Sequence, residues 1–146
     1  MKTIKKSIEI TAPKEQVWAV ILEDSYSRDW MSHFCVGTHA VTDWIVGHKV
    51  VFENGTGSGI SGKIKEKRPY EFLSIVYDGM IVNGKDDFDS EESKAMKGAV
   101  ETYELSDHNG NTFLSISSDI GDEYFDEMSN SWDAALQRIS ELSHAI

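Results

Sequence analysis

The stretch DEYFDEMSNSWDAALQRISELSHAI, residues 122–146, decides the fold. Phe125, Met128, Trp132, Ala135, Leu136, Ile139, Leu142 and Ile146 recur in it at helical spacing and share one stripe of an amphipathic helix. Asp122, Glu123, Asp126 and Glu127 occupy its first turns, where the partial positive charge of a helix N-terminus favours them. A helix of ~25 residues is roughly 37 Å long. Its stripe needs an apolar surface of matching length, which a twisted sheet of many strands supplies.

The rest of the chain provides that sheet. Residues 2–11 alternate, with Ile4, Ile8 and Ile10 on one side and Lys5, Ser7 and Glu9 on the other, the period of a half-buried strand. Ala12-Pro13-Lys14-Glu15 predicts a helix start with proline at the first helical position, and Val17, Trp18, Ile21 and Leu22 give that helix one buried face. Residues 24–32, with Tyr26, Trp30 and Met31, form a second short helix or turn. Strands are then expected over 38–45, 49–53, 60–68, 71–78, 99–106 and 112–120, divided by Gly47, Asn54-Gly55, Pro69, Gly79 and Asn109-Gly110. The links are short, so the sheet is antiparallel. Asn109-Gly110 suits a hairpin turn with positive φ at both central residues. Residues 80–97 read as one long acidic loop, with room for a helical turn, lying near one end of any cavity.

The expected architecture is therefore α+β: a curved antiparallel sheet of about six or seven strands wrapped around a long C-terminal helix, with two short helices after strand one. Residues 1–146 are expected to form a single domain. With 25 acidic and 14 basic residues the formal net charge is −11, which repels phosphate backbones and anionic lipid surfaces, so neither nucleic acid nor membrane is an expected partner. Cys35 is the only cysteine, which excludes an internal disulfide and the zinc motifs built on paired cysteines. No window has the roughly 20 apolar residues of a membrane span, and residues 1–10 lack the apolar run of a signal peptide. A cytoplasmic location is the expectation.

The order of these elements, with Ile8-Glu9-Ile10-Thr11-Ala12-Pro13, Val17-Trp18 and Trp30 at the entry, resembles the START-like superfamily, also called SRPBCC or helix-grip proteins. Gly62-x-Ile64-x-Glu66-x-x-Pro69-x-x-x-Leu73, Asn111-Thr112-x-Leu114 and Ser131-Trp132 are similar to one branch of it. That branch is named after the C-terminal domain of the activator of the ninety-kilodalton heat-shock chaperone. The resemblance departs at Tyr70, where a second proline is usual, and at Glu101, where an apolar residue is usual. It implies the helix-grip fold, and with it three functions: carriage of a hydrophobic ligand, cyclase-type catalysis, or contact with a chaperone. Fold alone does not choose among them.

Strand parity supplies candidate residues. Side chains alternate along a strand, so if Tyr103 and Leu105 face the helix, Glu101 faces it too. By the same rule Glu66 follows Gly62 and Ile64, and Tyr77 follows Leu73 and Ile75. A carboxylate among apolar walls is the composition of a small-molecule site, and its desolvation raises its pKa. The competing reading puts Glu66 and Glu101 at strand ends, reaching water or a lysine. Trp30, Phe52, Met128 and Trp132 are the expected apolar wall, a role compatible with being core.

The ligand-binding set is thus Trp30, Phe52, Tyr77, Glu101, Tyr103, Met128 and Trp132, and the expected occupant is a small hydrophobic or aromatic molecule. No catalytic residue, metal ligand or cofactor is assigned. His33, His39, His48, His108 and His144 form no i, i+4 pair, and His33 with Cys35 lacks a third partner for a nucleophilic triad. A cyclase or hydratase in which an inward carboxylate moves a proton is the alternative.

Overall fold

The computed structural model describes Met1–Ile146. Strand β1 (Lys2–Ile10) leads into helices α1 (Lys14–Leu22) and α2 (Asp24–Met31), then strands β2 (His39–Val41), β3 (Lys49–Glu53), β4 (Gly59–Arg68) and β5 (Phe72–Val82). A short strand β6 (Lys85–Asp87) and helix α3 (Glu91–Met96) precede β7 (Val100–His108) and β8 (Asn111–Ile120). A 3-10 turn (Asp122–Tyr124) runs into the long helix α4 (Phe125–Ala145). The strands pair antiparallel in the order β1-β8-β7-β5-β4-β3-β2, with β6 added to β5 alone. This is the helix-grip fold: the sheet curls around α4, and α1 and α2 fill the gap between β1 and β2.

The expected helix stripe is the one that is buried. Trp132, Ala135, Leu136 and Ile139 are enclosed, Phe125, Met128 and Leu142 pack at the margin, and only Ile146, beyond the last turn, is exposed. Pro13 caps α1 from one position before its first residue, its carbonyl accepting from the Val17 N–H at 3.2 Å. The indole Nε1–H of Trp30 donates to the Val20 carbonyl at 2.9 Å, a buried bond that fastens α2 to α1. Arg138 of α4 then grips α2 through both oxygens of Asp29, at 2.7 and 2.9 Å.

Three sequence expectations are corrected. The strand over 38–45 stops at Val41, because the side-chain oxygens of Thr42 and Asp43 accept from the Trp44 and Ile45 N–H groups and turn the chain, leaving Trp44 at φ 59°. Gly79 does not end β5. Asp78 is extruded as a bulge between the pairs Gly62/Tyr77 and Ser61/Gly79, so the strand continues to Val82. A Cβ on Gly79 would lie 2.6 Å from the Phe88 ring, so glycine is what lets Phe88 seat against the strand.

The acidic segment 80–97 is largely ordered structure. Asn83-Gly84, at φ 53° and 77°, makes the same hairpin turn as Asn109-Gly110, at φ 56° and 87°. Ser90 caps α3 by accepting from the Ser93 N–H at 3.1 Å, and Asp87 accepts from the N–H groups of Asp89 and Ser90. These bonds hold the Asp87 carboxyl below the usual range.

Prediction for the α2–α4 grip. The bidentate bond to Arg138 lowers the pKa of Asp29, so its contribution is complete above the ordinary carboxylate value and is lost only as pH falls through the lower folded value. Both side chains are more than a third exposed, and solvent screening limits the pair to about 1 kcal/mol. Asp29→Asn should lower stability in urea by about that amount at pH 7. An unchanged midpoint would show that α2 is held by Trp30 alone.

Candidate functional site

Where the sheet bends away from α4 it leaves a cavity of about 120 Å³. A single water occupies roughly 30 Å³ of liquid, and an apolar cavity of about 150 Å³ takes up benzene, so this void is on the scale of one ring. Each wall comes from a different element. Helix α2 contributes Trp30 and Met31, and the turn after it Phe34 and Thr38. The sheet contributes Phe52 from β3, Ile60 from β4, Tyr77 from β5, and Glu101 with Tyr103 from β7. Met128 and Trp132 of α4 close the other side. All seven residues singled out in the sequence thus line one space. Met31, Phe34, Thr38 and Ile60 were missed as lining. Ile60 was legible as an inward strand position, two before Gly62, whereas Phe34 and Thr38 lie in a turn that no periodicity marks.

The aromatic rings brace one another. The Trp132 ring is met edge-on by Phe34 (centroids 4.9 Å, 75°) and Tyr103 (5.9 Å, 62°), and lies 6.4 Å from Trp30. Phe52 and Tyr77 form a second edge-on pair at 6.3 Å and 66°. Such pairs add roughly 0.5–1.5 kcal/mol each beyond the area they bury. Rings held this way cannot swing inward to fill the space.

Glu101 is the one ionisable acid in the lining. It stands opposite Ser118 of β8 and Ile75 of β5, and the Tyr103 hydroxyl donates to its Oε2 at 2.7 Å. The Tyr77 hydroxyl approaches the same carboxyl. Burial pushes the Glu101 carboxyl above its usual range, although both tyrosine hydroxyls pull the other way. Burial also raises Tyr77 and Tyr103 well above 10, with the negative charge of Glu101 adding to the effect. No lysine, arginine or histidine bridges Glu101; the chain's ion pairs all lie elsewhere. A second polar group is also unmatched, since the Trp132 Nε1–H is buried without an acceptor.

Glu66 does not join Glu101, contrary to its expected parity. Ile64 pairs with Ile75 but Glu66 pairs with Ser74, so Lys65 is a bulged extra residue and the alternation slips by one. Glu66 therefore faces outward, exposed, 3.3 Å from Arg68. His33 and Cys35 are exposed in the turn after α2, and the Cys35 sulfur accepts from the Asn54 side-chain amide at 3.6 Å. The segment 80–97 contributes nothing to the cavity wall.

No helix of the chain is long and apolar enough to cross a membrane. No curated protein matches the chain. Among solved structures it is similar to protein MLL2253 from Mesorhizobium loti, at 14% identity and TM-score 0.75, over 97% of this chain and 96% of that one. The Aha1 dimer from Colwellia psychrerythraea is similar at 16% identity and TM-score 0.73, over 97% and 95%. Protein CV1439 from Chromobacterium violaceum is similar at 21% identity and TM-score 0.72, over 98% of both chains. Identities this low carry the fold alone. The family described as activator of Hsp90 ATPase homolog 1-like protein, however, matches residues 11–143, and the chain, with its helix-grip fold, belongs to that family, within the START-like superfamily.

Proposed function

We propose that the protein binds a small apolar or aromatic molecule, about one ring in size, in the cavity beneath α4. The observation that carries this reading is a ring-sized space walled by braced rings and aliphatic side chains, with polar groups at only a few points of its wall. Trp30, Phe52, Met128 and Trp132 supply the apolar contact, and Met128 is the member that adapts to shape. Glu101, held by Tyr103 and approached by Tyr77, fixes orientation.

Proton transfer by Glu101 is a second reading, and the raised pKa of a carboxyl inside the cavity favours it. A chaperone-directed role has the family description behind it and no residue of the cavity.

Prediction for occupancy. A ligand at 100 times its Kd stabilises by about 2.7 kcal/mol, which for a chain of this size raises Tm by about 5–10 °C. Single-ring compounds should produce such shifts in thermal unfolding. Met128→Trp, which fills the void from α4, should remove the response. An equal shift in that variant would place binding outside the cavity.

Prediction for Glu101. Its folded pKa lies above the ordinary value of 4.5, so the unfolded chain ionises first as pH rises and wild-type stability falls across the window between the two values. Below the ordinary value both states are protonated and the cost disappears. Glu101→Gln should therefore stabilise the apo protein at pH 7 and do so less at pH 4, read by chemical denaturation at both. A destabilised variant at pH 7 would mean that the carboxylate holds the fold rather than a ligand. If the cavity also performs proton transfer, the same variant should retain binding and lose turnover.

A further inference from the structure

Resting on the binding reading above, we infer that the molecule this cavity accepts is an organic cation: a protonated amine or alkylammonium about one ring in size, its charge placed against Glu101 between Tyr77 and Tyr103. The argument starts from what Glu101 lacks. A carboxylate drawn away from water is paired with a cation, coordinates a metal or gives up its charge, and Glu101 is half-buried in the cavity wall. Glu101 has two phenol hydroxyls near it and no cationic side chain bridging it. Around it, β5 presents Tyr77 and Ile75, β7 presents Tyr103, and β8 presents Ser118. Across the cavity α2 presents Trp30, the following turn Thr38, and α4 Trp132. The only titratable groups in this shell are the two tyrosines, and neither can neutralise a carboxylate. Within the wall, then, only a proton can neutralise Glu101, and a cationic ligand would supply the pairing that the side chains do not.

The walls suit such a charge. Aromatic faces attract ammonium groups through their quadrupoles. Indole and phenol rings here come from four separate elements and surround one acid. A neutral hydrocarbon of the same shape gains the apolar contacts but leaves the carboxyl unmatched. An anionic ligand would set a second negative charge beside it. The whole-chain charge of −11 adds a field that draws cations toward the surface and turns anions away.

Proton linkage gives a further signature. A cation favours the ionised carboxylate, so its binding competes with protonation of the group. Affinity should be flat above the pKa of the empty site and fall about tenfold per pH unit below it.

Benzylammonium and its neutral isostere ethylbenzene, titrated by calorimetry into the full chain at pH 7, distinguish the outcomes. Both should bind wild type. Glu101→Gln should weaken benzylammonium at least tenfold and ethylbenzene much less, with an unchanged circular-dichroism spectrum and cooperative thermal unfolding showing that the variant is folded. Lowering the pH should weaken only the cation. Ethylbenzene binding without benzylammonium binding, or equal benzylammonium affinity in wild type and variant, overturns the cation assignment and leaves the apolar-ligand reading standing. Failure of both probes in wild type overturns the two together.

Discussion

A straight helix cannot follow a strongly curved sheet along its whole length, and the rest of this structure depends on that mismatch. The curvature is written into β4 and β5, where Asp78 and Lys65 are extruded as bulges and increase the local twist. Along one part of the groove Ala135, Leu136 and Ile139 of α4 meet Ile4, Ile10, Leu114 and Ile116 closely enough to bury all of them. Toward the first turns of α4 the sheet has bent away. There the gap is bridged by Trp132 and Met128 from the helix and by Trp30 from α2. The cavity is what remains after the largest side chains have been spent on closing it.

Holding α2 in place is therefore a condition for having a site. Two bonds of different kinds do this: the buried indole bond from Trp30 to the Val20 carbonyl, and the half-exposed grip of Arg138 on Asp29. The first joins α2 to α1, and the second joins it to the far side of the cavity. Between them they fix the Trp30 ring against Tyr103 and Trp132 without any backbone pairing to the sheet. A wall fastened by side chains can be released locally at lower cost than one fastened by a ladder of strands.

Much of this was legible because it follows from periodicity. The stripe of α4 and the alternation of β5 and β7 are enough to place Tyr77, Glu101, Tyr103, Met128 and Trp132 on facing surfaces. Parity failed at Glu66 for a specific reason. Alternation presumes an unbroken ladder, and one extra residue at Lys65 inverts everything after it; nothing in Lys63-Ile64-Lys65-Glu66 marks which residue is extra. The acidic segment was misread differently, since its signal was present. Asn83-Gly84 carries the same turn chemistry as Asn109-Gly110, but charged residues after it do not read as a strand, and β6 pairs through backbone rather than through an apolar face. Phe34 and Thr38 were beyond reach because a turn has no period, and their positions follow from where α2 ends.

The choice of rings over aliphatic side chains for this end of the core has an energetic consequence. A space of about 120 Å³ leaves its lining atoms without contact partners on one side, which costs dispersion energy. A wall made wholly of flexible side chains would relax into the space and recover part of that cost, and here only Met31, Ile60 and Met128 are of that kind. Trp132, Tyr103 and Phe34, braced edge against face, cannot do so without breaking their own contacts. Glu101 reinforces the same outcome, because collapse around an unpaired carboxyl would strip it of its remaining solvation and raise its cost further. The site is thus held open by groups whose alternatives are worse, and both penalties, the empty volume and the unmatched carboxyl, are relieved at once by an occupant that fills the ring-sized space and answers the charge.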